Sequence, residues 1–349
     1  MKYSFIIPVY NRPDEVAELL ESLTQQTLRN FEVVVVEDGS AMPCKDVCNR
    51  YADRLTIRYF AKENGGPGPA RNYGAERAQG EWLIILDSDV VLPPAYLSEV
   101  EKELTDAPCD AFGGPDSAHP SFTPVQKAIN YAMTSFFTTG GIRGGKKKLD
   151  KFYPRSFNMG IRAEAYKALN GFSPMRFGED IDLSTRIFKA GYRCRLFPEA
   201  WVWHKRRTDL RKFFKQVHNS GIARIHLTAR HPGTLKPVHL LPAVFTLGVG
   251  ALLLGFLGGL YFYFFGFGHI NQSIGLALCR LSLLPLIAYA LLVFTDATIK
   301  ERSPHVGILS VAASFVQLTG YGSGFIRAAW RRHVMHSGEF EAFKDSFYE

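Results

Sequence analysis

The chain has 349 residues, with 41 Lys and Arg against 33 Asp and Glu and a formal net charge of +8. That length suits one large α/β domain with an appendage. The positive balance does not point to nucleic acid. The cations crowd just ahead of an apolar run, at Lys205, Arg206, Arg207, Arg211, Lys212, Lys215, Arg224, Arg230 and Lys236, which fits a cytoplasmic membrane face where anionic lipid attracts each cation by about 1 kcal/mol.

The five cysteines are odd in number, and Cys44-x-x-x-Cys48 has no second pair to complete a zinc site. Free thiols in a reducing compartment are expected. The stretch Tyr3 to Tyr10 is too short for a signal peptide and is interrupted by Pro8. The catalytic part is therefore expected in the cytosol.

Ser4 to Val9 reads as a buried strand. Asn11 and Pro13 open a helix with Val16, Leu19, Leu20 and Leu23 on one face. Phe31 to Val36 is a continuous apolar, β-branched run, as a central parallel strand requires. Leu55 to Phe60 and Glu81 to Leu86 are further strands, with a helix from about Gly68 to Ala78 between them. Strands alternating with helices predict a doubly wound α/β sheet, in which ligands bind beyond the carboxyl ends of the strands. Three of those ends are polar: Val9-Tyr-Asn-Arg12, Glu37-Asp-Gly-Ser40 and Asp87-Ser-Asp89.

From Ala107 to Asp150 the pattern loosens. Gly140, Gly141, Gly144 and Gly145, followed by three lysines, read either as a solvated loop or as a lid meeting phosphates. Order returns at Phe157 to Arg162. A helix opens at Glu179-Asp180, short strands follow at Tyr192 to Phe197 and Ala200 to Trp203, and Leu210 to about Ala229 is a basic amphipathic helix suited to a bilayer surface.

The last third is apolar. A bilayer core of about 30 Å needs roughly 20 apolar residues. Two spans are expected within 233–300, at about 240–265 and 274–296, joined by a turn without Lys or Arg that the positive-inside rule places outside. A third stretch, 306–326 within the tail 301–349, contains Gln317 and Gly320-Tyr-Gly-Ser-Gly324 and precedes Arg327, Arg331 and Arg332. It is expected to be re-entrant or interfacial.

Paired carboxylates just past a strand, Asp87 and Asp89, offer oxygen to a hard cation, which few protein carboxylates hold together with substrate phosphates. The plain alternative is an Asp-rich turn. Glu179 and Asp180 complement a helix dipole, or Asp180 is a general base; sequence position does not choose between Asp180 and Asp182. His204 ends a strand as a structural histidine or a third ligand.

Together these stretches resemble family 2 glycosyltransferases of the GT-A fold, over roughly residues 2 to 230. The resemblance is carried by Ser4 to Arg12, Val36 to Ser40, Gly65-Gly-Pro-Gly-Pro-Ala-Arg-Asn72, Leu86 to Asp89 and Gly178-Glu-Asp-Ile-Asp182. It implies a GT-A domain over 1–232, a Rossmann-like, doubly wound mixed sheet. It further implies that Pro8, Tyr10, Arg12, Asp38, Arg71, Asp87 and Ser88 bind the donor, with Asp38 facing the base, commonly uracil. Asp87, Asp89 and His204 would hold Mn²⁺ or Mg²⁺, and Asp180 would be the base. Glu179, Trp203 and Arg206 are expected near the acceptor or a phosphate.

The implied reaction is inverting transfer of one sugar from a nucleotide-sugar, a UDP-sugar first, to a hydroxyl of a lipid-linked or growing saccharide at the cytoplasmic face of the cell (inner) membrane. Membrane lipids are the other expected partner, and nucleic acid is not one. Gln216 to Ser220 lacks the Arg-Trp of processive members, so one sugar per event is expected. The alternatives are a polyprenyl-phosphate glycosyl synthase, whose phosphate acceptor needs no strong base, and a silent nucleotide-sugar-binding membrane subunit.

Overall fold

The computed structural model describes residues 1–117, 119, 121–140, 152–175, 177–266 and 268–337. The expected basic loop from Gly141 to Lys148 lies outside them. In chain order the elements begin with β1 (Tyr3–Val9), α1 (Pro13–Thr24), β2 (Phe31–Asp38), α2 (Lys45–Arg50), β3 (Ile57–Lys62), α3 (Pro67–Ala75), β4 (Trp82–Leu86), β5 (Val90–Val91) and α4 (Tyr96–Asp106). There follow β6 (Ala111–Gly113), β7 (Asp116–Ser117), α5 (Pro124–Thr134), α6 (Phe136–Thr139), β8 (Asn158–Arg162), α7 (Ala163–Ala168) and α8 (Glu179–Lys189). The chain ends with β9 (Cys194–Leu196), β10 (Val202–His204), α9 (Leu210–Arg230), α10 (Leu241–Phe265), α11 (His269–Glu301) and α12 (Pro304–His333). Residues 1–120 and 150–205 belong to one compact unit, and 121–149 with 206–339 form the other.

The first unit is built on a mixed sheet in the order β3-β2-β1-β4-β8-β6-β9. The first four strands are parallel, whereas β8 runs antiparallel to both β4 and β6. Successive strand residues point to opposite faces, so a strand covered on both sides must be apolar throughout. In β1, β2 and β4, Phe5, Ile7, Val33, Val35 and Ile84 enter one core, while Ile6, Val34, Val36, Leu83 and Ile85 enter the other. Helix α1 buries Val16, Leu19, Leu20 and Leu23 against the first core, each such burial stabilising by about 1.5–3 kcal/mol. Pro8 is tolerated because β1 pairs with β4 only over Tyr3 to Ile6, beyond which that side of the ladder needs no donor.

A second sheet, β5-β10-β7, has strands of only two or three residues. It pairs His204 with Val90 and Trp203 with Ser117.

The second unit is helical and contains α5, α6 and α9 with the apolar helices. Pro237–Phe265, His269–Glu301 and Pro304–His333 are long and apolar enough to cross a membrane, with mean hydropathies of 2.3, 2.2 and 1.2. Glycines let α10 and α11 approach closely. A Cβ on Gly259 would stand 2.8 Å from the Gly275 carbonyl oxygen, and one on Gly275 would stand 2.6 Å from that of Gly259. Helix α12 is unbroken through Gly320 to Gly324.

Candidate functional site

Because β2, β1 and β4 are neighbours, their three polar endings meet at one edge of the sheet. Asn11 joins two of them from a left-handed backbone (φ 52°), a conformation Asn accepts more readily than most residues. Its N–H donates to Ser40 Oγ at 2.8 Å, and its Oδ1 accepts from the Met42 N–H at 2.9 Å.

Asp38 is fully buried. Its Oδ2 accepts from the Gly66 N–H at 2.7 Å, and its Oδ1 accepts from Lys62 Nζ at 2.7 Å and the Gly65 N–H at 3.0 Å. The carboxylate therefore holds down the loop after β3. A nucleotide base could reach it only if that loop shifted.

Arg71 is also buried, on the first turns of α3. Its Nη2 donates to Asp87 Oδ1 at 2.8 Å and its Nη1 to Glu179 Oε1 at 3.0 Å, with the guanidinium 5.0 Å from the centre of the Phe172 ring. One side chain thus ties the end of β4 to the start of α8. Burial pushes the Glu179 carboxyl above the ordinary carboxylate range, Arg71 opposes the shift, and the neighbouring Asp180 adds to it.

The first turn of α8 separates two acids that the sequence could not. Asp182 is buried, accepting from Ser173 Oγ at 2.5 Å and Arg186 Nε at 2.9 Å. It is occupied in holding the helix. Asp180 is partly open; its Oδ1 accepts from the Ile181 N–H at 2.8 Å, and its Oδ2 lies 3.3 Å from Arg155 Nη1.

The short sheet brings Asp89 and His204 together. Arg12 Nη1 lies 2.6 Å from Asp89 Oδ2, and His204 Nε2 lies 3.3 Å from Asp89 Oδ1. On its other side His204 faces Asp116, Nδ1 to Oδ2 being 3.7 Å, and its ring stacks on Phe157 at 4.8 Å. Burial disfavours the imidazolium, but Asp116 and Asp89 outweigh it and raise the His204 pKa to about 9. Asp87, Asp89 and His204 each place one ligand atom within 4.8 Å of the others. Two carboxylates and one imidazole make a donor set that fits a divalent cation.

Of the remaining expected residues, Pro8 and Ser88 are buried and Tyr10 is half-buried beside the same strand ends. Trp203 lies edge-on to Trp201 and His119, at 4.8 and 5.6 Å. Arg206 belongs to the second unit, where its Nε and Nη2 donate to Asn130 Oδ1 of α5 at 3.1 and 3.0 Å. Sequence reasoning missed Arg155, Asp116 and Phe157. None carries a pattern of its own, and only the pairing of β7 with β10 places Asp116 behind His204.

Residues 4–169 match the model of glycosyl transferase family 2. The chain carries a family 2 glycosyltransferase domain. A pre-mycofactocin glycosyltransferase of Mycobacterium tuberculosis is 30% identical over 239 residues, covering 67% of this chain and 49% of that protein. An uncharacterised glycosyltransferase of Rickettsia felis is 40% identical over 103 residues, 30% of this chain and 17% of that one. The chain thus spans less than half the length of either relative. Among solved structures, a mannosyltransferase of Pyrobaculum calidifontis in complex with GDP-Man and Mn²⁺ superposes with a TM-score of 0.56 at 18% identity, covering 95% of this chain and 88% of that one. That likeness supports the GT-A fold of the glycosyltransferase domain.

Proposed function

We propose that this chain is an inverting, cation-dependent glycosyltransferase. It moves one sugar from a nucleotide-sugar to a hydroxyl of a lipid-linked or growing glycan at the cytoplasmic face of the cell membrane. The observation that carries the reading is the Arg71 bridge, which links Asp87 of the cation-binding set to Glu179, the neighbour of Asp180. Donor-binding and proton-accepting groups are thereby held in one rigid frame.

A cation held by Asp87, Asp89 and His204 would neutralise charge on the departing diphosphate. Asp180 accepts the proton of the acceptor hydroxyl while that oxygen bonds to the anomeric carbon and the bond to the diphosphate oxygen breaks. A single displacement of this kind inverts the anomeric configuration and needs no nucleophilic side chain. Arg155 and the Ile181 N–H aim the Asp180 carboxylate. Arg12 orients Asp89. A carboxylate base at Asp180, its side chain 16% exposed, suits a hydroxyl acceptor, which must lose a proton, better than a phosphate acceptor, which need not.

The membrane placement rests on α10 and α11, with the basic segment from Lys205 to Lys236 on the cytoplasmic side. The test is donor turnover by detergent-purified protein, screening UDP-, GDP- and TDP-sugars with Mn²⁺, Mg²⁺ or EDTA. Cation-dependent nucleotide release that is lost in Asp89→Ala and in His204→Ala is expected. Neither nucleotide binding nor release with any donor would refute the reading.

A further inference from the structure

Three helices of the second unit are long and apolar enough to cross a membrane, yet the contacts of α12 follow a course that a third span could not. Near its start, Gly307 lies against Phe294 and Thr298, in the last turns of α11. Two turns on, the Phe315 ring meets Tyr289 at 5.5 Å and Phe245 at 5.7 Å. Leu318 then accepts a hydrogen bond from Thr246 Oγ1 at 3.3 Å, and Gly322 lies against the Pro242 carbonyl.

As α12 advances from 318 to 322, its partners on α10 retreat from 246 to 242. A span entering beside α11 and running up through the bilayer would meet α10 at rising numbers, toward Phe265. Helix α12 instead moves toward the end at which α10 begins.

The glycine-rich half of α12 then packs on a helix that cannot lie in hydrocarbon. Gly320 lies against Val217 and Phe214, Gly324 against the His218 carbonyl, and Gly221 against Tyr321 and Phe325. Ser323 Oγ and His218 Nδ1 are 3.0 Å apart. That partner is α9, which exposes Arg211, Lys212 and Lys215, and such cations are expelled from a bilayer centre. Helix α5 completes the layer, with Ala128, Ile129 and Ala132 packed among Phe213, Val306 and Ala313.

The two ends of one row of α12 remain for lipid. At about 100° per residue, Ile308, Phe315, Ile326 and Trp330 share a face. Phe315 sets its direction, toward the α10 and α11 side chains Phe245 and Tyr289. Ile308 and Trp330 are 63% and 59% exposed on that face. Arg327, Arg331 and Arg332 follow at the carboxyl end, an arrangement suited to anionic headgroups, with Trp330 at the depth where tryptophan collects.

We infer that α12 is an in-plane strut on the cytoplasmic surface of the bilayer, with Ile308 and Trp330 at the two ends of that row facing lipid, and that the described residues cross the membrane twice. This rests on the membrane reading above and deepens it: Ser337, just past α12, lies on the cytoplasmic side.

The test uses the full chain in sealed membrane vesicles, with His269→Cys and Ser337→Cys labelled by a membrane-impermeant maleimide and the parent chain as background. The two positions should react from opposite sides. Reaction of both from one side would mean that α12 spans, and would overturn the strut. Release of the protein by alkaline carbonate would refute the membrane reading itself, and the strut with it. Independently, Trp330 emission, taken as the difference between the parent and Trp330→Phe, should be quenched more by lipids brominated near the headgroup than by lipids brominated near the chain end. The reverse order, or no quenching by either, would also overturn the inference.

Discussion

Replacing Arg71 by methionine keeps most of the side-chain volume and removes the charge that joins α3, β4 and α8. Asp87 and Glu179 then lose their partner, and Glu179 is left as a nearly buried acid beside Asp180, its side chain 13% exposed. Removing one member of a buried ionic group costs about 3–5 kcal/mol. The lower part of that range is expected because the Asp87 side chain is 31% exposed and water can reach it. For a unit of this size each kcal/mol moves the melting temperature by about 2–4 °C, so a fall of roughly 6–12 °C should follow. Thermal unfolding of the detergent-solubilised protein, followed by near-UV circular dichroism, gives the number. The double variant Arg71→Met/Glu179→Gln supplies the control, since neutralising the stranded acid should recover part of the loss, with a coupling of about 0.5–3 kcal/mol. A fall of under 2 °C in the single variant, or additivity in the double, would refute the bridge as the link between the two halves of the site.

Asp180→Asn should lower kcat by about 10²–10⁴-fold and leave the KM for the donor within a few-fold; loss of donor binding instead would remove Asp180 from the role of base. The raised pKa of His204 fixes the sign of a pH effect. A cation binds the neutral imidazole, so below a pKa of about 9 binding must displace a proton, and affinity should fall about tenfold for each pH unit lost. Mn²⁺ titrations followed by electron paramagnetic resonance from pH 7 to 9 check this, and a flat profile would contradict it. Gly324→Val should destabilise the second unit by about 1–3 kcal/mol, because its Cβ would press on the His218 carbonyl. An unchanged melting temperature would show that α9 and α12 do not pack through that glycine.

The strands whose two faces are both covered were legible residue by residue, because Phe5 to Ile7 and Val33 to Val36 must be apolar wherever helices cover both sides. The polar endings of β1, β2 and β4 were legible for the same reason: they mark where the apolar run stops. In the sheet of β5, β7 and β10 only the last strand was, read at Ala200 to Trp203 and found at Val202–His204; β5, β7 and the pairing were not. Two or three residues carry no periodicity, and the pairing of Val90 with His204 is set by tertiary closure alone. The family resemblance implies Asp38 and Arg71 as ligand-facing groups. Their burial shows each also holding neighbouring chain in place, Asp38 the Gly65–Gly66 loop and Arg71 the start of α8. In one dimension the glycine run in α12 marked a re-entrant or interfacial segment. In three dimensions Gly320 and Gly324 are where α9 comes close.

The modest size of the β5-β10-β7 sheet has a consequence for how the site is kept. A patch held by so few main-chain hydrogen bonds can come apart at a free energy well below that of the main sheet. His204 could then leave Asp89, uncovering Val90 and Val202 at the margin of the first core while β1, β2 and β4 stay paired. Whatever bridges Asp89 and His204 joins points far apart in the chain and acts as a removable stitch at the margin of a rigid body. It gains stabilisation by mass action as its concentration rises. Hydrogen exchange at Val90, Trp203 and His204 should therefore slow sharply with added cation, while exchange in β1 and β2 does not change.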